Sequence, residues 1–219
     1  MSYPLQWNAT RENGLRVLNS PTDPIHGLSS LLLFSDGSEW DVINIGFRKS
    51  ASVYLNNTFN RGYSDGVIRT LIRRNNSTDQ SHAWGGIFFV SDREGIGTLS
   101  SPGQRRYEVT DKGGFLKIIK YSIGVPTTLY TSSFAFSPNI IYGFQVRWKY
   151  FSLLNDLNIE VSLGTSVDFS DLVLLFDYTD SNSPYHLGVT EGLFVQTLSD
   201  TDVVSYTFDA TSIYESSHL

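Results

Sequence analysis

Between Tyr142 and Lys149 the side chains alternate: Tyr142, Phe144, Val146 and Trp148 fall on one face, Gln145, Arg147 and Lys149 on the other. A period of two is what a half-buried β-strand requires. The same alternation returns in Leu157, Ile159, Val161 and Leu163, with Asn158, Glu160 and Ser162 opposite. It returns again in Val204, Tyr206 and Phe208, which predicts Ser205, Thr207 and Asp209 on the solvent side.

Weaker patterns predict strands at 15–19, 28–35, 42–48, 52–56, 67–74, 86–91, 105–109, 115–122, 127–133, 172–177 and 192–198. Turn formers separate them, among them Asp36-Gly37, Ser64-Asp65-Gly66, Asp111-Lys112-Gly113-Gly114, Ser137-Pro138-Asn139 and Asp180-Ser181-Asn182-Ser183-Pro184. No window of helical length keeps an apolar stripe; residues 166–175 have room for one short helical turn. Many short strands at this spacing predict an all-β protein, an antiparallel two-sheet β-sandwich. No linker-like tract or fixed-period repeat interrupts the rhythm, so residues 1–219 read as one domain, with 1–19 as a candidate N-terminal arm.

Composition sharpens this picture. Aromatic residues make up 14% of the chain and charged residues only 17%, the balance of a packed core rather than of a disordered chain. The absence of cysteine excludes disulfides, thiolate metal sites and a cysteine nucleophile. A net charge of −6 argues against a general nucleic-acid binder. All 16 Lys and Arg lie at or before Lys149, so the first 149 residues carry +5 and the remainder −11. That asymmetry is either drift across strands that interleave in space, or a pair of complementary surfaces for subunit contact. The apolar clusters Leu31 to Phe34 and Leu172 to Phe176 are too short to span a bilayer. No secretory leader is visible at the N-terminus, so the expectation is a chain made in the cytoplasm, and the sequons at Asn8, Asn56, Asn75 and Asn76 read as chance.

The order of features from Gly66 to Tyr214 carries a family resemblance. Lys112-Gly113-Gly114-Phe115-Leu116-Lys117-Ile118-Ile119-Lys120 and Thr127-Thr128-Leu129-Tyr130-Thr131-Ser132 look like two neighbouring strands. The Trp148 strand and Leu157 to Leu163 come next. Then Phe176-Asp177-Tyr178-Thr179-Asp180 leads into Leu187-Gly188-Val189-Thr190-Glu191-Gly192-Leu193-Phe194, and the chain closes on Phe208-Asp209-Ala210-Thr211-Ser212-Ile213-Tyr214. This order resembles the concanavalin A-like, laminin G-like jelly roll. The resemblance implies two curved antiparallel sheets packed face to face, with close backbone approach at Gly188 and Gly192. Many members bind carbohydrate, some bind protein, and a subset hydrolyse glycans. Members without cysteine, leader or catalytic carboxylates look like bacteriophage virion components, whether capsid decoration, tail or receptor-binding proteins. The resemblance thus implies a non-enzymatic subunit located in the virion. Its implied partners are itself, capsid or tail proteins, and glycan, with neither nucleic acid nor membrane among them. The alternative is a carbohydrate-binding lectin domain, and a third reading is a glycan hydrolase.

The candidate chemistry is sparse. Glycosidases need two carboxylates a few ångströms apart. Glu39 and Asp41, flanking Trp40, are the nearest same-face pair, and they read more simply as solvated turn acids. His26, His82, His186 and His218 lack metal-ligand spacing, and no Gly-x-Ser-x-Gly elbow occurs. Asp177, Asp180 and Asn182 offer hard oxygens within six residues, a candidate calcium site set against an Asx-rich turn that caps its own backbone. Basic groups cluster at Arg69, Arg73 and Arg74, and at Arg105 and Arg106 beside Tyr107. Arg69 and Arg73 fall on one outer strand face, and a polyanion groove is the lesser reading for a chain of acidic net charge. Trp148 belongs to the core, whereas Trp40 and Trp84 sit beside turns, where they would serve as ligand or partner platforms or plug one end of the sandwich.

Overall fold

The computed structural model describes residues 8–11, 15–19, 31–35, 49–56, 65–75, 83–92, 105–123, 125–188, 190–197 and 205–214. Every regular element among them is a strand. In chain order these are β1 (Asn8–Arg11), β2 (Leu15–Asn19), β3 (Leu31–Ser35), β4 (Lys49–Asn56), β5 (Asp65–Arg74), β6 (Ala83–Ser91) and β7 (Arg106–Asp111). They continue as β8 (Leu116–Ser122), β9 (Val125–Thr131), β10 (Ile141–Phe151), β11 (Asp156–Gly164), β12 (Val173–Asp180), β13 (Thr190–Thr197) and β14 (Ser205–Tyr214). The first sheet runs β1-β4-β13-β6-β7-β8-β9, and the second β12-β11-β10-β5-β14-β3-β2. The chain is an antiparallel β-sandwich, as the alternation and strand spacing predict, and of the jelly-roll kind that the resemblance implies.

The alternating strands build the seam between the sheets. Phe144, Val146 and Trp148 of β10 and Ile159 and Val161 of β11 face Ile87 and Phe89 of β6, Val109 of β7 and Ile118 of β8 in one apolar cluster. The Phe89 and Trp148 rings stack across the seam with centroids 4.8 Å apart. The Asp111–Gly114 turn joins β7 to β8, with Gly113 and Gly114 at φ of 66° and 75°, values that favour glycine. Gly188 permits the expected close approach: a Cβ there would lie 2.5 Å from the Val90 Cα.

Three features differ from the expectations of the sequence. Thr207 is buried rather than solvent-facing, because its hydroxyl accepts the Asn75 side-chain amide at 2.9 Å. Residues 166–175 form no helix. The Asp171 carboxylate instead takes the Thr165 and Ser166 N–H groups at 2.8 and 3.0 Å, which closes a loop before β12 and holds that carboxyl down at about 2. The stretch read as an N-terminal arm supplies β1 and β2, which are outermost strands of the two sheets and pair with β4 and β3 of the same chain.

Glu191 on β13 has 4% exposure, and burial pushes its carboxyl up to about 8. Its folded value lies above the ordinary 4.5, so the native state holds a proton that the unfolded chain releases in between. The Glu191 contribution to stability is therefore full below about pH 4.5 and is lost as pH rises towards 8, with a slope of up to about 1.4 kcal/mol per pH unit. Glu191→Gln should flatten that slope relative to wild type and raise stability above pH 8. Urea unfolding of both proteins from pH 4 to 9 checks this, and identical pH profiles would refute it.

Candidate functional site

On β8, Leu116, Ile118 and Lys120 share a phase, so the inward row ends in a cation. On β12, Phe176, Tyr178 and Asp180 share a phase, so that inward row ends in an anion. Packing of the two sheets brings these ends together. The buried Lys120 ammonium donates to Asp180 Oδ2 at 2.7 Å and to the carbonyls of Asn182 and Ser183 at 2.7 and 3.0 Å. These contacts use all three of its N–H groups. Asp180 Oδ2 also accepts the Tyr107 hydroxyl of β7 at 2.6 Å, and Asp180 Oδ1 accepts the Asn182 N–H at 3.0 Å. The Tyr107 oxygen in turn accepts the Tyr185 N–H at 3.0 Å. Burial, and then the hydrogen bond to Asp180, drives the Tyr107 hydroxyl far above its ordinary value, so it stays a donor.

This network fixes the segment 181–185 as the wall of a cleft of about 730 Å³. The outer strands β9 and β12 contribute Thr127 and Leu129, and Tyr178 and Asp180, to its lining, and next to it the Tyr130 and Phe176 rings meet across the seam at 4.6 Å. The lining combines half-buried Tyr178 and Tyr185 with Ser122, Thr127, Asn155, Asn182 and Ser183. Arg105 completes it. Asp92 Oδ1 accepts the Arg105 N–H at 2.8 Å, the Arg105 carbonyl accepts the Asp92 N–H at 3.1 Å, and the guanidinium lies 5.6 Å from the Tyr185 ring centroid. A volume in this range, with aromatic faces beside a few polar groups, is that of a small-ligand site.

The residues singled out from sequence fall in different places. Asp180 and Asn182 come together, but around Lys120 rather than around a divalent ion, so the calcium reading is corrected: an ammonium holds the carboxylate. Asp177 is exposed and register-paired with Glu160, three residues from Asp180 and thus on the opposite face. Among the described residues no group of three His, Asp or Glu converges as a metal site. Trp84 is fully buried, packed with Phe88 and Phe194 on the face of the first sheet that points away from the seam. The Lys112 ammonium lies 3.8 Å from its ring centroid. The reading of Trp84 as an exposed platform is therefore corrected as well. Trp40, Glu39 and Asp41 lie outside the described residues. Sequence reasoning marked Arg105 beside Tyr107 as part of a basic cluster but missed Lys120 and the contact of Tyr107 with Asp180. The available signal was phase, since Lys120 and Asp180 each keep step with core residues of their own strands.

No protein-family model matches the sequence, and no curated protein matches it either. Solved structures share its fold. An endo-β-1,4-glucuronan lyase from the fungus Trichoderma reesei superposes with a TM-score of 0.61 at 12% identity, over 95% of this chain and 90% of that one. A carbohydrate esterase of the Shiga toxin-encoding bacteriophage phi24B gives 0.51 at 12% identity, over 94% and 88%. Botulinum neurotoxin type C, whose cell entry depends on interaction with two ganglioside molecules, gives 0.54 at 14% identity, over 96% of this chain and 43% of that one.

The clasp has a testable energetic signature. Removing one partner of a buried pair strands the other charge, so Asp180→Asn and Lys120→Met should each lower the unfolding free energy by about 3–5 kcal/mol. The double variant Lys120→Met/Asp180→Leu should cost less than either single change, because no charge remains buried. Guanidinium denaturation of the three proteins measures this. A double variant as unstable as the two singles added together would show that the pair is not coupled.

Proposed function

We propose that this chain is a glycan-binding β-sandwich that recognises sugar without cleaving it. The observation that carries the reading is the cleft between β9 and β12. Its tyrosine rings suit the apolar faces of sugar rings, and its hydroxyl, amide and guanidinium groups suit sugar hydroxyls. The Lys120 network fixes that wall in advance, which lowers the ordering cost of binding. A non-catalytic role is supported by the state of Asp180. It is the one carboxylate among the described lining residues, and it is already taken up by Lys120 and Tyr107, whereas hydrolysis needs two carboxyl groups in acid and base or nucleophile roles. The carbohydrate-related names of the proteins that share the fold support the glycan half of this reading; two of those proteins, a lyase and an esterase, are enzymes. A glycan array is the direct test, with Tyr178→Ala expected to weaken sugar binding about two- to tenfold through loss of an aromatic contact worth roughly 0.5–1.5 kcal/mol. Failure of the wild-type protein to bind any glycan would overturn the proposal, as would turnover of a polysaccharide.

A second reading, a self-assembling virion subunit, is favoured by the edge of the second sheet. β12 is the last strand of that sheet and exposes Val173, Leu174 and Leu175, with exposures of 68%, 54% and 38%. An uncovered apolar edge invites pairing with another chain, and the occupant proposed is a second copy of this one. Light scattering should then report an oligomer that Leu174→Lys dissociates to monomers. A wild-type monomer at high concentration would remove this reading.

A further inference from the structure

We infer that the cleft selects a carboxylated sugar and that the Arg105 guanidinium is its anchor, an inference that rests on the glycan-binding reading above. The cleft contains three charged groups among its described lining residues: Arg105, Lys120 and Asp180. Two of them cancel, because Lys120 and Asp180 meet at 2.7 Å and both are buried. Arg105 remains, exposed and with no carboxylate among the described residues in salt-bridge contact with its guanidinium. The described lining therefore carries one uncompensated positive charge, and a ligand with one carboxylate per bound ring would neutralise it.

Geometry adds to charge. The Arg105 main chain is tied on both sides to Asp92, and its guanidinium rests against Tyr185, whose own N–H is held by Tyr107. The planar donor fork is thus presented from a fixed base, as two-point binding of a carboxylate requires. Lys120 cannot serve this purpose, since its three N–H groups already hold Asp180, Asn182 and Ser183. Asn155, Asn182, Ser122 and Thr127 line the rest of the cleft and suit the hydroxyls of the same ring.

The test uses pairs of oligosaccharides that differ only in a carboxylate: glucuronic acid against glucose, galacturonic acid against galactose, and sialylated against unsialylated lactose. Titration calorimetry should find a pair in which the acidic member binds the whole protein about tenfold tighter at low salt, as a charge-assisted bidentate contact would give. That preference should shrink as sodium chloride rises from about 0.05 to 0.5 M. Arg105→Gln should reduce it to less than about twofold by weakening the acidic member much more than the neutral one, and Arg105→Lys should keep part of it. Neutral members bound as tightly as acidic ones would overturn this inference and leave the glycan-binding reading standing. So would an Arg105→Gln variant that weakens both members alike. A panel in which nothing binds would remove the glycan-binding reading itself, and this inference with it.

Discussion

An ammonium group buried between two sheets sets the terms for this end of the molecule. Lys120 stands on β8 of the first sheet, beside the outermost strand β9, while Asp180 terminates β12 at the edge of the second. The pair can form only when the sandwich closes in a single alignment. Its 2.7 Å contact does not of itself make the fold more stable than an apolar substitute would, because desolvating both charges offsets the attraction. Its consequence is positional. Once the ammonium is buried, its remaining N–H groups must find oxygens, and the carbonyls of Asn182 and Ser183 supply them. The loop after β12 is thereby pulled onto the core, and Tyr107 and Tyr185 complete the attachment. The cleft wall is a by-product of satisfying one buried cation.

A second polar contact lies at the other end of β7. Arg74 of β5 approaches Asp111 at 3.5 Å, and the Tyr206 hydroxyl donates to the same carboxylate oxygen at the same distance. Burial drives the Tyr206 hydroxyl well above its ordinary value, so it too remains a donor. β7 thus carries Tyr107 near one end and Asp111 at the other, each tied to the opposite sheet. Between them Val109 joins the apolar seam, and Phe89 lies between Tyr107 and Trp148 in a run of stacked rings. The apolar middle supplies burial, while the polar ends fix how the sheets align.

The sandwich was legible in the sequence because three of its strands have one face towards the seam and one towards water. β10, β11 and most of β14 show it as strict alternation. β6 and β7 do not, since both of their faces are buried: all six residues of β7 are buried, and so are the described side chains of β6 from Trp84 to Ser91. Without a polar face there is no alternation to read, and Trp84 looked like a surface residue because it stands beside Gly85 and Gly86. Those glycines serve packing, however. A Cβ at Gly85 would press on the Tyr206 ring at 2.8 Å, and one at Gly86 would collide with the Val109 carbonyl. The acidic cluster at 177–182 was legible as composition but not as geometry. Oxygen ligands counted along a strand ignore that residues three apart face opposite ways, and they ignore a lysine 60 positions earlier.

The position of the cleft comes from topology rather than from any motif. β9 and β12 are the last strands of their sheets on the same side of the sandwich, so the seam there has no further strand to close it. Tyr130, Phe176 and Tyr178 fill part of the gap with rings at 4.6 and 6.3 Å, and the cleft lies beside them, with Tyr178 in its lining. Among the described strands, β9 and β12 each have a neighbour on one side only, the feature that invites a second chain. The two proposed readings, glycan binding and self-pairing, therefore concern one margin of the fold. A neighbour paired along β12 would stand beside the wall that carries Asn182 and Tyr185, so a ligand held by that wall would lie next to the paired edge.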